Sequence, residues 1–218
     1  MTLEEAVAKI KPLDHNAMEI AQKRWDSIAK PLHSLGKLET LLIQIAGITG
    51  NAEVDLSRRG LIAMCADNGV VEEGVTQTGQ EVTAIVAENF LKYDTSVGVM
   101  CKQNHAEIFP VDMGMVTDTK VRTDHKIAYG TQNMTKGPAM TREQAVKGLE
   151  AGIDMVRELN DKGYRILATG EMGIGNTTTS SAVASVLLKQ PVEEMTGRGA
   201  GLTSEGLVRK INAIKKAI

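Results

Sequence analysis

Apolar residues recur at helical spacing through the first part of the chain. Leu3, Ala6, Val7 and Ile10 predict a helix over residues 2–11. Met18, Ala21, Trp25 and Ile28 predict a second, capped by Asp14 and running to about Lys30, where Pro31 stops it. Leu35, Leu38, Leu41, Leu42, Ile45 and Ala46 form the stripe of a third, with Ser34 as its cap and Gly50-Asn51 as its end.

The period then changes. Leu61, Ile62, Ala63, Met64, Cys65 and Ala66 form a short continuous apolar run that ends in Asp67-Asn68-Gly69, the pattern of a buried parallel strand entering a loop. Residues 81–93 read as a helix with Val82, Ile85, Val86 and Phe90 inward. Residues 107–111 read as a strand ending in Asp112-Met113-Gly114, and 121–128 as a weaker strand. A long helix over 141–162 turns Ala145, Leu149, Ile153, Val156 and Leu159 to one side, and Gly163 stops it. Residues 165–168 predict another strand, followed at once by a glycine cluster; helices over 176–188 and 203–218 complete the chain. Alternating strands and helices predict an α/β domain with a mainly parallel sheet and flanking helices over 53–218, preceded by a small helical subdomain over 1–52. The α/β stretch is far shorter than the roughly 250 residues of a TIM barrel.

Composition narrows the function classes. The 218 residues carry 25 Lys and Arg against 27 Asp and Glu, a net charge of -2 with no basic block, which argues against nucleic acid as a partner. No apolar run approaches the roughly 20 residues of a membrane helix, and the acidic, amphipathic start is neither a secretory signal nor a transit peptide. The only cysteines are Cys65 and Cys101. They form no disulfide framework or zinc pattern and read as reduced core residues of a cytosolic protein. The four histidines are scattered, with no neighbour at ligand spacing, so no metal is expected.

Glycine, 21 residues in all, gathers in two places. The first is Gly170-Glu171-Met172-Gly173-Ile174-Gly175-Asn176-Thr177-Thr178-Thr179-Ser180, at the end of a strand and the start of a helix, where open α/β sheets bind ligands. Glycines let the backbone approach a ligand, and a helix start attracts anions. Asn176 and the threonines can cap the helix or donate to phosphate. No Gly-Lys-Ser/Thr follows, so this is not a P-loop, and Thr178 stands where a dinucleotide fingerprint has its third glycine. Without a ligand, the same segment is a tight turn with a helix cap. Glu171 beside such a cradle would face a ribose hydroxyl or a developing cation, or else solvent. The second cluster is Gly197-Arg198-Gly199-Ala200-Gly201, with Lys210 beyond it; alone it could equally be a flexible loop with surface cations. Asp67 and Asp112, each just past a strand, are further candidates, or loop caps.

These segments together resemble the nicotinate-nucleotide–dimethylbenzimidazole phosphoribosyltransferase family. The likeness rests on the Gly170–Thr178 segment and on supporting matches in order: Lys30-Pro31, Ser34-Leu35-Gly36 and Leu38-Glu39; Ala66-Asp67-Asn68-Gly69-Val70 with Gly74-Val75; Gln80-Glu81-Val82-Thr83; Val111-Asp112-Met113-Gly114; Gly130-Thr131 with Pro138-Ala139-Met140; and Gly197–Gly201 with Lys210. They span about residues 24 to 210. The resemblance implies transfer of the 5-phosphoribosyl group of nicotinate mononucleotide to 5,6-dimethylbenzimidazole or a related base. The products are nicotinate and α-ribazole 5'-phosphate, in cobalamin lower-ligand synthesis. It implies a large parallel α/β domain, a small helical domain built from both chain ends, a cytoplasmic homodimer, and no cofactor. Carried over by position, Gly173, Gly175, Asn176, Thr177, Thr178, Gly199, Gly201 and Lys210 hold the phosphoribosyl group. Glu171 supports catalysis, and Met172, Gln80, Glu81 and Asp67 belong to the base pocket.

Three departures follow. Asn68 stands where many members have His, and Ala200 where many have Thr, which leaves the accepted base open. The chain resembles roughly three-fifths of a family member. The family's principal general base is a Glu of the C-terminal third, beyond Ile218, so the 218-residue chain is expected to show little or no transferase activity. Two other classes compete. A dinucleotide-dependent oxidoreductase needs an acid ending the next strand, and Glu193 and Glu194 have that spacing but follow Pro191. A non-catalytic nucleotide-binding protein needs only the cradle. A transferase using phosphoribosyl pyrophosphate lacks its paired-acid motif.

Overall fold

The computed structural model describes residues 1–218 as two compact units, Met1–Arg58 and Arg59–Ile218. No helix is long and apolar enough to cross a membrane.

The first unit holds α1 (Leu3–Ala8), α2 (His15–Ser27) and α3 (Lys37–Thr49). Thr2 and Glu5 close a capping box on α1, and the Asp14 carboxylate caps α2 by accepting from the Ala17 N–H at 3.0 Å. α2 and α3 meet through Ala17, Ala21, Ala46 and Gly47, where a Cβ on Gly47 would fall 2.7 Å from the Met18 side chain. Three expectations are corrected here. α1 ends at Ala8, leaving Ile10 exposed. Gly36, not Ser34, caps α3, at φ 55°. Leu35, Leu38 and Leu41 face solvent, because the small-residue side of α3 makes the contact with α2 instead.

The second unit is a three-stranded parallel sheet of order β2-β1-β3, from β1 (Arg59–Ala66), β2 (Ala106–Gly114) and β3 (Ile166–Met172). Strand alternation divides the core of this unit. Ala63 and Cys65 of β1 point to one face, with Ala87 and Phe90 of α4 (Glu81–Leu91), Met115 and Val121. Ile62 points to the other, with Val111 and with Met155 and Leu159 of α6 (Arg142–Asp161). There Phe109 and Tyr164 meet edge to face at 5.1 Å. The remaining helices are α5 (Ser96–Gln103), α7 (Asn176–Leu188), α8 (Val192–Met195) and α9 (Ser204–Ala217).

Residues 121–128 are not a strand. One bridge, Val111 to Arg122, is all they form, within a long β2–α6 connection. Side chains set the course of that connection: Asp112 accepts from the Gly114 and Met115 N–H groups and pairs with Lys126 at 3.2 Å. Asp67, wholly buried, accepts from the Val116 N–H at 2.8 Å, and its own carbonyl accepts from Thr131 N–H. The inward faces of two helices also differ from expectation. α4 buries Thr83, Ala84, Ala87 and Phe90 while Ile85 is exposed, and α6 buries Ala151, Met155 and Leu159 while Leu149 and Val156 are exposed. β2 is joined along its outer side to the following loop by Asp112 N–H to Arg122 O and Ile127 N–H to Met113 O. β3 has no such neighbour, and Ile166, Ala168 and Thr169 are exposed along it.

Candidate phosphoribosyl site

The strand before the glycine cluster is longer than its apolar run. β3 extends to Met172, so Gly170, Glu171 and Met172 are strand residues, in register with Ala63, Met64 and Cys65. Sheet register therefore fixes the direction of Glu171. The turn proper is Gly173-Ile174-Gly175. A Cβ on Gly173 would lie 2.1 Å from the Ala66 carbonyl oxygen, so no side chain fits there. Gly175, at φ 92°, is the N-cap of α7. Asn176 is thus the first helical residue rather than the cap, and its amide donates to the Glu171 carboxylate.

The second glycine cluster faces the first. Gly199, at φ 58°, lies so close that a Cβ would be 2.8 Å from Thr177 Oγ1 and 3.5 Å from Lys210 Nζ. Gly201 accepts from the Gln77 amide. Arg198 turns back on its own loop, donating to the Leu202 carbonyl at 2.8 Å and to Ser204 Oγ at 3.2 Å. Between the clusters is a cavity of about 280 Å³ lined by Val75–Thr78, Met172–Thr177, Arg198–Ala200 and Leu202. No carboxylate lines it.

Lys210 lies behind the cavity wall, bonded to Thr177, which lines it. It is 1% exposed on α9, and its ammonium donates to Thr177 Oγ1 at 2.7 Å and to the Gly197 carbonyl at 3.0 Å. Both acceptors are neutral. Burial pushes its pKa below the ordinary lysine value. A buried cation with only neutral acceptors is unfavourable unless an anion joins it, and α7 begins at the same place. Glu171 is solvent-accessible, but protein crowded around the carboxylate raises its pKa above the usual range, against the opposing pull of the Asn176 amide.

The structure gathers Met172, Gly173, Gly175, Asn176, Thr177, Gly199 and Lys210 around this cavity, with Glu171 beside Asn176 and Gly201 beside Gln77. Thr178 is buried inside α7, its hydroxyl without a partner. Gln80 does not line the cavity; its amide donates to the Asn68 carbonyl at 3.1 Å. Glu81 is exposed at the start of α4, and Asp67 is engaged beneath the β2–α6 loop. Sequence reasoning missed Gln77, whose reach to Gly201 across the chain leaves no local signal. Glu193 lies on the short helix α8, paired with Lys215, not at the end of a strand. A dinucleotide site therefore lacks its ribose-binding acid.

Residues 10–218 match the profile of a family described as Phosphoribosyltransferase. The chain belongs to that family. It is 51% identical to the nicotinate-nucleotide–dimethylbenzimidazole phosphoribosyltransferase of Ruminiclostridium cellulolyticum, over 100% of this chain and 62% of the relative. It is 47% identical to the protein of that name from Clostridium tetani, over 99% of this chain and 60% of the relative. The crystal structure of CobT from Thermus thermophilus superimposes with a TM-score of 0.84 at 36% identity, covering 92% of this chain and 61% of that one. The chain thus spans about three-fifths of the length of these relatives.

Proposed function

We propose that this chain carries the donor-binding part of a nicotinate-nucleotide–dimethylbenzimidazole phosphoribosyltransferase. The donor is nicotinate mononucleotide, the acceptor a benzimidazole-type base, and the products are nicotinate and α-ribazole 5'-phosphate. The observation that carries the reading is the Lys210 ammonium, buried between two glycine loops with no carboxylate in the cavity. A phosphate there would receive its third hydrogen and the field of the α7 start. The ribose would then lie toward Asn176 and Glu171.

Cleavage of the N-glycosidic bond builds positive charge on the ribose, which a carboxylate at Glu171 stabilises. The leaving nicotinate departs from a cationic pyridinium and needs no proton. The acceptor ring must lose one, and with no carboxylate lining the cavity this chain turns over slowly at best. The assembly we propose is a homodimer in the cytosol. Two free, buried cysteines suit a reducing compartment, and the exposed leucines Leu35, Leu38 and Leu41 offer an apolar face that a second copy could cover.

Calorimetric titration with nicotinate mononucleotide tests the reading. Saturable one-to-one binding, competed by inorganic phosphate and not by NAD, is expected. Tighter binding of NAD than of the mononucleotide would overturn it.

A further inference from the structure

Ile174 is the centre of the Gly173–Gly175 turn, and side chains from outside the turn hold both of its peptide groups. Its N–H donates to Thr83 Oγ1 at 3.0 Å. Its carbonyl accepts from Asn68 Nδ2 at 3.1 Å. Thr83 lies on α4 and is wholly buried; Asn68 follows β1 and is half-buried. The Asn68 amide is itself oriented, because its Oδ1 accepts from Thr179 Oγ1 on α7 at 3.2 Å. Neither Asn68 nor Thr83 lines the cavity.

We propose that Asn68 and Thr83 are a positioning pair that presets the glycine turn for the phosphoribosyl donor. The proposal rests on the phosphoribosyl reading above. Two glycines flanking Ile174 give the turn many conformations. Left free, it would lose that freedom when a ligand binds, and affinity would fall accordingly. With both peptide groups of Ile174 fixed from opposite sides, the ordering takes place during folding instead. The consequence reaches the chemistry through two neighbours: Gly175 sets the start of α7, and Asn176 holds Glu171. Asn68 thereby ties the ends of β1 and β3 to the first turn of α7, and Thr83 adds α4 to the same point.

The test is titration of the whole chain with nicotinate mononucleotide, with thermal melting in parallel. Thr83→Val keeps the shape and deletes the acceptor, so Ile174 N–H loses its partner. Thr83→Ser restores the hydroxyl, and Asn68→Ala removes the other half of the pair. Loss of a hydrogen bond that orders a binding loop corresponds to about tenfold weaker binding for Thr83→Val and for Asn68→Ala. Thr83→Ser should bind within about threefold of the unaltered chain. Amide exchange at Ile174 should quicken in Thr83→Val and recover in Thr83→Ser. Unchanged affinity in both Thr83→Val and Asn68→Ala overturns the pair, as does Thr83→Ser binding as weakly as Thr83→Val. Should Thr83→Val not fold, Asn68→Ala and Thr83→Ser still decide the matter. If the unaltered chain does not bind the mononucleotide, the phosphoribosyl reading itself fails and takes the pair with it. That result differs from intact binding that ignores the substitutions.

Discussion

Lys210 and Glu171 carry opposite charges and opposite consequences. Lys210→Met preserves length and removes an ammonium whose burial is unfavourable. Calorimetry should show nicotinate mononucleotide binding weakened by about 1.5–3 kcal/mol, the value of a hydrogen bond to a charged group. Melting should shift little, since the lost bonds to Thr177 and Gly197 are set against relief of the charge. Equal binding in Lys210→Met would place the anion elsewhere. For Glu171 the folded state holds its proton more tightly than the unfolded chain does. Stability contributed by this group is therefore present at low pH, and is lost as pH rises from the ordinary carboxylate range through the raised value. Glu171→Gln removes that loss, so its melting temperature relative to the unaltered chain should climb across that window. A flat difference would mean the carboxyl is unperturbed. Both residues were legible in the sequence as candidates beside glycine clusters. Their environment was not, because the neutrality of Lys210's partners depends on a loop and a helix brought together only by the fold.

At the scale of elements, the site depends on where β3 ends and α7 begins. Gly173→Ala would place a methyl group 2.1 Å from the Ala66 carbonyl oxygen, which is backbone and cannot swing aside. The turn must move away from β1, and nicotinate mononucleotide binding should fall below detection while far-UV circular dichroism stays near that of the unaltered chain. Retained binding would show that the turn is not the cradle. Periodicity located the three strands and seven of the nine α-helices, because apolar residues at strand or helix spacing mark a buried side, and it missed the short α5 and α8. It misread which side where small residues make the contact. α3 meets α2 through Ala46 and Gly47, and α4 turns Ala84, Ala87 and Thr83 inward, so the bulky leucines and Ile85 face out. It also shortened β3, since Gly170 and Glu171 have low strand propensity, and their pairing with β1 prevails. Residues 121–128 have the composition of a strand, but the ties of Asp112 to Lys126 and of Arg122 to Asp124 and Glu158 fold them as a loop.

At the scale of the whole chain, the two units differ in what they expose. Every residue around the cavity belongs to the Arg59–Ile218 unit, while Met1–Arg58 presents Leu35, Leu38 and Leu41 to solvent. Sedimentation should find a dimer at micromolar concentration, and Leu38→Glu should shift it toward monomer with donor binding retained. A monomer at all concentrations would reject the homodimer. The family resemblance was legible from short motifs spread along the chain, several of which, such as Asp67-Asn68-Gly69, Asp112-Met113-Gly114 and Gly173-Ile174-Gly175, occupy a strand end or turn where few residue types fit.

One outer strand of the sheet remains bare. β2 is bound to the loop beside it, whereas β3 offers a row of backbone donors and acceptors to whatever approaches. Its sequence, ILATGEM, has neither the lysine nor the proline by which edge strands commonly repel copies of themselves. Within these residues that edge, next to the Gly173–Gly175 turn, is open to pairing with another strand. Concentrated solutions of this chain should therefore lose material on standing faster than dilute ones, and what is lost should be sheet-rich aggregate rather than unfolded protein.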